Sequence, residues 1–277
     1  MIRLFFVVEG QTEEAFVKGV LASHFADRNI DARATIVGTP KRRGSSPLQK
    51  GGGDWPRWER DVRRILGQQR GREVRVTTLF DLYGLPEGFP GLEEHGGVAD
   101  TRIRCELLEQ SLAQRFDDWR FVPYVQRHEF EALVLASLAS LRELLDAQDA
   151  LEGWQALHAE VSGLAPEDVN EGRTTAPSKR LRARIPGYSK TTHGPLATEA
   201  TGLASLRERC RRFDAWITRL EGCARWGLIA TSSRLPLFHR AVVTCDIAQT
   251  RGSTWTLRAS QLPLRHAVHC TIHQLRV

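Results

Sequence analysis

Arg3-Leu4-Phe5-Phe6-Val7-Val8-Glu9-Gly10-Gln11-Thr12-Glu13-Glu14 is the stretch whose reading decides the fold. Its first half is aromatic and β-branched, which predicts a strand buried on both faces. The run stops at Glu9, and Gly10 turns the chain. Ala15, Phe16, Val20, Leu21 and Phe25 then recur at three- and four-residue spacing, the period of a helix. In open α/β sheets, ligands gather at the carboxyl ends of strands. Glu9 stands at such an end, beside a glycine turn, with no packing need to explain it. Glu13 falls in the first helical turn and can face back towards Glu9. Compensation of the helix dipole accounts for Glu13 equally well.

The same unit repeats along the chain. A second strand is expected at about 31–37. The segment 38–54 is rich in Gly, Ser, Lys and Arg and reads as a long loop; its glycines and cations could cradle phosphate, although it has neither phosphate-loop spacing. Asp54 and Pro56 are signals for a helix start, and Trp58, Val62, Ile65 and Leu66 give that helix its apolar face. A third strand is predicted at 73–80, ending in Asp81, and Leu82-Tyr83-Gly84-Leu85-Pro86 breaks it. Strand ends of a parallel sheet share one edge, so Glu9 and Asp81 are expected to converge. An Asx-turn before Gly and Pro is the competing explanation of Asp81. A helix over 100–116 should turn Ile103, Leu107, Leu108, Leu112 and Phe116 inward. A fourth strand at 119–125 runs into His128-Glu129-Phe130-Glu131, three titratable groups at another strand-to-helix junction. Strands and helices alternate throughout, which defines a doubly wound α/β unit.

The 277 residues, 41% hydrophobic and 26% charged, are ordinary for a globular protein of one or two domains. No apolar run approaches the length of a membrane span, and the first one meets an acid at position 9, so neither a membrane anchor nor a signal peptide is expected. Five scattered cysteines form no CxxC pair, which fits a reducing cytoplasm. The whole chain carries a net charge of +6, and residues 224–277 hold seven Arg, one Asp, no Lys and no Glu. The rest therefore sums to zero, and the basic balance is no argument that the body binds nucleic acid.

Beyond residue 150 the pattern becomes helical and polar. Lys179, Arg180, Lys190 and His193 are read as cations in Gly/Pro-punctuated loops, suited to clamping phosphate or simply solvated. One or two helices over 196–220 should bury Trp216 and Leu220. Helical periodicity is lost over 224–277, whose four histidines and two cysteines fit no zinc pattern. The expected organisation is a core over 1–150, a helical and loop extension over 151–223, and an atypical basic tail over 224–277.

Val8-Glu9-Gly10-x-Thr12-Glu13, Phe80-Asp81-Leu82-Tyr83-x-Leu85-Pro86, His128-Glu129-Phe130-Glu131-Ala132-Leu133 and Ala176-Pro177-Ser178-Lys179-Arg180 together resemble the bacterial Toprim-like family catalogued as domain of unknown function 4276. The resemblance covers roughly residues 1–221. It implies a Toprim-like core, a parallel sheet flanked by helices with a mainly helical C-terminal part, as in topoisomerases, primases and overcoming-lysogenization-defect (OLD) nucleases. In that superfamily a glutamate ends the first strand and an Asp-x-Asp pair ends the third. Glu9 and Asp81 match; Tyr83 stands at the second Asp, so one metal ligand is missing or comes from Glu129 or Glu131. The resemblance also implies a partner ATPase encoded nearby, often in anti-phage defence.

The expected activity is cleavage of DNA or RNA with Mg²⁺ or Mn²⁺. Glu9, Glu13, Asp81, Glu129 and Glu131 are the candidate ligands, and Glu9, Glu13, Asp81, Lys179 and Lys190 the candidate catalytic groups. Arg180, His128, His193 and Tyr83 are the candidate phosphate binders. A homo-oligomer is compatible with this reading. The alternatives are a nucleotide phosphohydrolase and an inactive docking partner of an ATPase.

Overall fold

The computed structural model describes residues 1–38, 54–170 and 172–229. The predicted loop at 39–53 and the tail beyond 229 lie outside the described residues.

Five parallel strands form the sheet: β1 (Ile2–Val8), β2 (Ile30–Ile36), β3 (Val74–Asp81), β4 (Phe121–Val122) and β5 (Val125–Gln126). Their order is β2-β1-β3-β4, and β5 also pairs with β3. The helices are α1 (Gln11–Phe16), α2 (Ala22–Ala26), α3 (Trp55–Gln68), α4 (Leu92–His95), α5 (Thr101–Phe116), α6 (Glu131–Leu135), α7 (Leu138–Arg142), α8 (Gln148–Val161), α9 (Pro177–Arg184), α10 (Lys190–Thr201), α11 (Leu203–Arg209) and α12 (Arg211–Ile229). The doubly wound α/β expectation holds, including the helical C-terminal part.

Period-two alternation explains why β1 is apolar from Leu4 to Val8. Leu4, Phe6 and Val8 face one core with Phe16, Leu21 and Phe25, joined by residues of α6 to α12. Phe5 and Val7 face the other, with Trp58 and Val62 of α3 and Leu108 and Leu112 of α5. The first core runs from Ile2 to Leu220, on both sides of the boundary expected at residue 150.

Trp216 of α12 ties the last helix to the sheet. Its ring stacks on Tyr124 at 4.3 Å and meets Phe6 edge-on, and its N–H donates to the Thr77 hydroxyl at 2.9 Å.

Four local expectations are corrected. The fourth strand is two short pieces separated by Pro123, which has no N–H for a ladder, and Thr78 instead exchanges side-chain hydrogen bonds with the Tyr124 backbone. Ile103 is 40% exposed because α5 turns Cys105 inward in its place. Residues 190–195, read as a loop, open α10, and Pro195 is accommodated inside that helix. Helical backbone also continues through Ile229, beyond the boundary expected at 223.

The first helix contains a π turn over Val17–Leu21 between α1 and α2. Strand registry brings the acids together: Val8 of β1 lies opposite Leu79 of β3, so both strands finish at one level of the sheet.

Candidate functional site

Glu9 follows β1, and Asp81 is the last residue of β3. The Glu9 Oε1 accepts the Asp81 backbone N–H at 2.5 Å. The turn after Asp81 is closed by the Gly84 N–H donating to the Asp81 carbonyl at 3.0 Å. A backbone bond thus makes the turn, and the Asp81 carboxyl is left for other work. A Cβ at Gly84 would stand 2.5 Å from the Glu9 Oε2, so glycine there leaves the Glu9 carboxylate where it is.

Glu13 comes from the first turn of α1 and is 2% exposed, which a surface acid serving only the helix dipole would not be. Glu131 opens α6 and is fully buried. Lys190 opens α10 and reaches into the group: its Nζ lies 3.2 Å from Glu131, 3.5 Å from Asp81 and 3.9 Å from Glu13. Asp81 Oδ1 and Glu131 Oε1 are buried without a well-formed hydrogen bond among the described residues, and Glu131 Oε2 is the oxygen that faces the Lys190 ammonium. Glu129 accepts the Ser178 backbone N–H at 2.9 Å, and its charge is felt by Asp81 and Glu131.

Burial raises the acids, and their mutual repulsion adds to it. Glu9 is pushed well up by desolvation and then by Asp81 and Glu13. Desolvation raises Glu13 too, against the pull of Lys190. Asp81 and Glu131 each rise to about 7, by desolvation first, with Lys190 opposing. Burial alone would lower Lys190, but Asp81, Glu131 and Glu13 outweigh it and hold the ammonium above its ordinary value. A fold does not keep several carboxylates beside one cation for stability; strained electrostatics of this kind mark functional sites.

The other candidates fall elsewhere. His193 Nδ1 accepts the Ser189 N–H at 2.8 Å and the ring stacks on Tyr188. Arg180 pairs with Glu160 and donates to the Thr175 carbonyl. Lys179 is exposed on α9. None of these three makes a described contact with the acids. The Tyr83 hydroxyl lies 3.2 Å from His128 Nδ1 and is bonded to the Asn170 amide. His128 is buried, and desolvation together with Arg127 lowers it to about 4.

Two side chains had escaped the sequence reading. Asn170 joins Tyr83 to His128, and its only signal was an Asn-Glu-Gly turn. Tyr188 buries its hydroxyl without a hydrogen-bond partner among the described residues, and desolvation, then the Glu131 charge, raises its pKa.

An all-oxygen donor set suits a hard divalent cation. Among the described residues no three acidic or thiol or imidazole side chains are gathered tightly enough to hold one ion. Mg²⁺ does not require that: it commonly takes one or two carboxylates and keeps several waters.

Fold and site together define a parallel α/β protein that concentrates acids and one lysine at the carboxyl edge of its sheet. The chain belongs to the family described as "Domain of unknown function (DUF4276)", whose model matches residues 8–221.

Among solved structures, the C-terminal region of the Burkholderia pseudomallei OLD protein is similar at 13% identity, covering 84% of this chain and 100% of that one, with a TM-score of 0.40. The C-terminal region of the Xanthomonas campestris pv. campestris OLD protein, phased with mercury, is similar at 13% identity over 79% of this chain and 98% of that one, with a TM-score of 0.35. No curated protein matches. Among the described residues no helix is long and apolar enough to cross a membrane.

Proposed function

We propose that the chain is a metal-dependent phosphodiester hydrolase of Toprim-like type, acting on DNA or RNA. One observation carries the reading: Glu9, Glu13, Asp81 and Glu131 meet on one sheet edge around Lys190, so that among the described residues buried carboxylates outnumber the one cation paired with them.

Glu9, Asp81 and Glu131 are the residues that would hold Mg²⁺ or Mn²⁺. The ion, when bound, would neutralise charge on the phosphate and lower the pKa of water. Tyr83 contributes no acid where the superfamily has its second Asp, and its hydroxyl is committed to His128 and Asn170. Glu131 is the better substitute, because Glu129 already accepts the Ser178 N–H while Glu131 lies beside Asp81 and Lys190 with its Oε1 free of a well-formed hydrogen bond among the described residues. Glu13 adds negative charge that keeps Lys190 protonated. Lys190 is the group that meets a non-bridging phosphate oxygen, and it balances the acids until substrate arrives. Glu9, fixed by the Asp81 N–H, is the acid or base nearest the strand ends. Control by a partner ATPase in anti-phage defence, and a cytoplasmic location, belong to the same proposal on the strength of the family resemblance.

The test is cleavage of single- and double-stranded DNA and of RNA across a Mg²⁺ and Mn²⁺ titration, with EDTA as the control. Metal-dependent loss of full-length polynucleotide is expected. A folded protein that leaves every polynucleotide intact in both metals, with and without the neighbouring ATPase, overturns the reading. Release of phosphate from nucleotides alone would replace it with a phosphohydrolase.

A further inference from the structure

Two helices begin at one cleft, and both carry arginines in their first turn. The first turn of α5 carries Arg102 and Arg104; α12 opens with Arg211 and Arg212, and Arg209 ends α11 just before it. All five line a polar cleft of about 1230 Å³, with Arg127 on its wall. Cations at a helix N-terminus work against the helix dipole, which favours acids there. Stability does not explain placing them at two such ends facing one space.

Part of this charge is compensated. Arg127 pairs with Asp168, Arg212 with Glu109, and Arg102 lies 3.6 Å from its own cap, Asp100. Glu167, also on the cleft wall, is taken up by the Arg212 and Phe213 backbone N–H groups at the start of α12. Arg104, Arg209 and Arg211 have no carboxylate partner among the described residues; Arg104 and Arg209 donate only to the carbonyls of Val98 and Ala136.

His128 borders the same cleft. It is 2% exposed and adopts φ +64°, a left-handed backbone that ordinarily favours glycine. Asn170 Oδ1 accepts the Gly172 N–H at 3.0 Å, which fixes the amide so that its NH₂ faces His128 Nδ1 at 3.3 Å. Nδ1 is therefore the acceptor and Nε2 carries the proton. That Nε2–H faces the Glu167 backbone carbonyl, which favours the protonated ring, but in no well-formed hydrogen bond among the described residues. Glu106, also on the cleft wall, lies 4.0 Å from Arg212, which leaves three guanidinium groups without a carboxylate partner among the described residues, a recognition surface for phosphate.

We propose that this cleft binds the phosphates of a polynucleotide backbone through Arg104, Arg209 and Arg211. The cleft exceeds the usual volume of a small-molecule pocket, roughly 300–1,000 Å³, as a strand of several nucleotides requires. It connects with the acid edge through one turn, in which the Tyr83 N–H donates to the His128 carbonyl at 3.1 Å, two residues after Asp81. This deepens the hydrolase reading, and rests on it, by giving the substrate a track that the acids themselves cannot provide.

The test uses the full chain in EDTA, so that binding is read without cleavage. A fluorescent single-stranded oligonucleotide is titrated across a salt series against the parent, Arg211→Gln, Arg104→Gln and a control, Arg142→Gln, on α7. Each cleft substitution should weaken binding about five-fold and reduce the salt slope by about 0.7. The control should bind as the parent does. Parental affinity and slope in folded Arg211→Gln and Arg104→Gln overturn the proposal. Arg211 is exposed with no described partner, so its variant remains informative if the Arg104 variant fails to fold. Binding of inorganic phosphate or pyrophosphate without any binding of oligonucleotide overturns the polynucleotide assignment. Intact, arginine-dependent binding in a protein inert with Mg²⁺ and Mn²⁺ would count against the hydrolase alone.

Discussion

The carboxylate of Glu9 accepts the backbone N–H of Asp81, so the side chain that ends one strand caps the strand beside it. The two residues are far apart in sequence and meet because β1 and β3 run parallel and in register up to Val8 and Leu79. The bond sets the position of Glu9 from the sheet itself. Nothing in it requires the Asp81 carboxyl to be charged.

Asp81→Asn is expected to fold and to lose activity by a factor on the order of a hundred or more, since an amide is a poor Mg²⁺ ligand. The backbone N–H and the turn to Gly84 are unchanged by the substitution. Cleavage rates alongside thermal melting in EDTA check this, and full activity in the folded variant would remove Asp81 from the chemistry.

Gly84→Ala should impair activity without unfolding the protein. The added Cβ would lie 2.5 Å from the Glu9 Oε2, and a side chain can move where a backbone cannot. Displacement of the Glu9 carboxylate should cost at least ten-fold in rate. Gly97→Ala, with nothing within 4 Å of the added atom, is the matched control. Equal rates in the two variants would show that the position of Glu9 is unimportant.

Glu131→Gln should stabilise the metal-free protein above neutral pH. The folded pKa of Glu131 is raised to about 7, from roughly 4.3 unfolded, so the native state holds the extra proton between those values. Its contribution is fully present below the unfolded pKa and is lost as pH rises through about 7. Melting in EDTA should show the variant gaining on the parent between pH 4.5 and 8. A constant difference across that range would mean that Glu131 does not titrate there.

Trp216→Ala is expected to cost about 3–5 kcal/mol, in the range for large buried aromatics. The substitution removes the stack on Tyr124, the edge contact with Phe6 and the bond to Thr77, which together hold α12 on the sheet. Denaturant titration measures it. A loss under 1 kcal/mol would show that α12 is dispensable to the core.

The two central strands, β1 and β3, were legible because they are largely apolar and run abruptly into Glu9 and Asp81. Glu9 and Asp81 could be placed together from one rule, that parallel strands share a carboxyl edge. Lys190 was less readable: Pro195 and Gly194 suggested a loop, and tertiary packing installs a helix there despite them. Ile103 misled because a helix face is set by what it packs on, and Cys105 serves that side of α5. The arginine cleft has no linear signature. Arg104 and Arg211 meet only in the folded chain, in a body whose charges sum to zero.

The acids and their lysine also leave the ribosome at different times. Glu9 emerges first and Lys190 after most of the domain has been made. At about 5–20 residues per second the interval is on the order of ten to forty seconds. Throughout it the nascent chain carries the acidic edge without the cation that the finished site places among Glu13, Asp81 and Glu131. The site is therefore assembled only when α10 docks, and a chain released before Lys190 is a protein with the acids but without the centre.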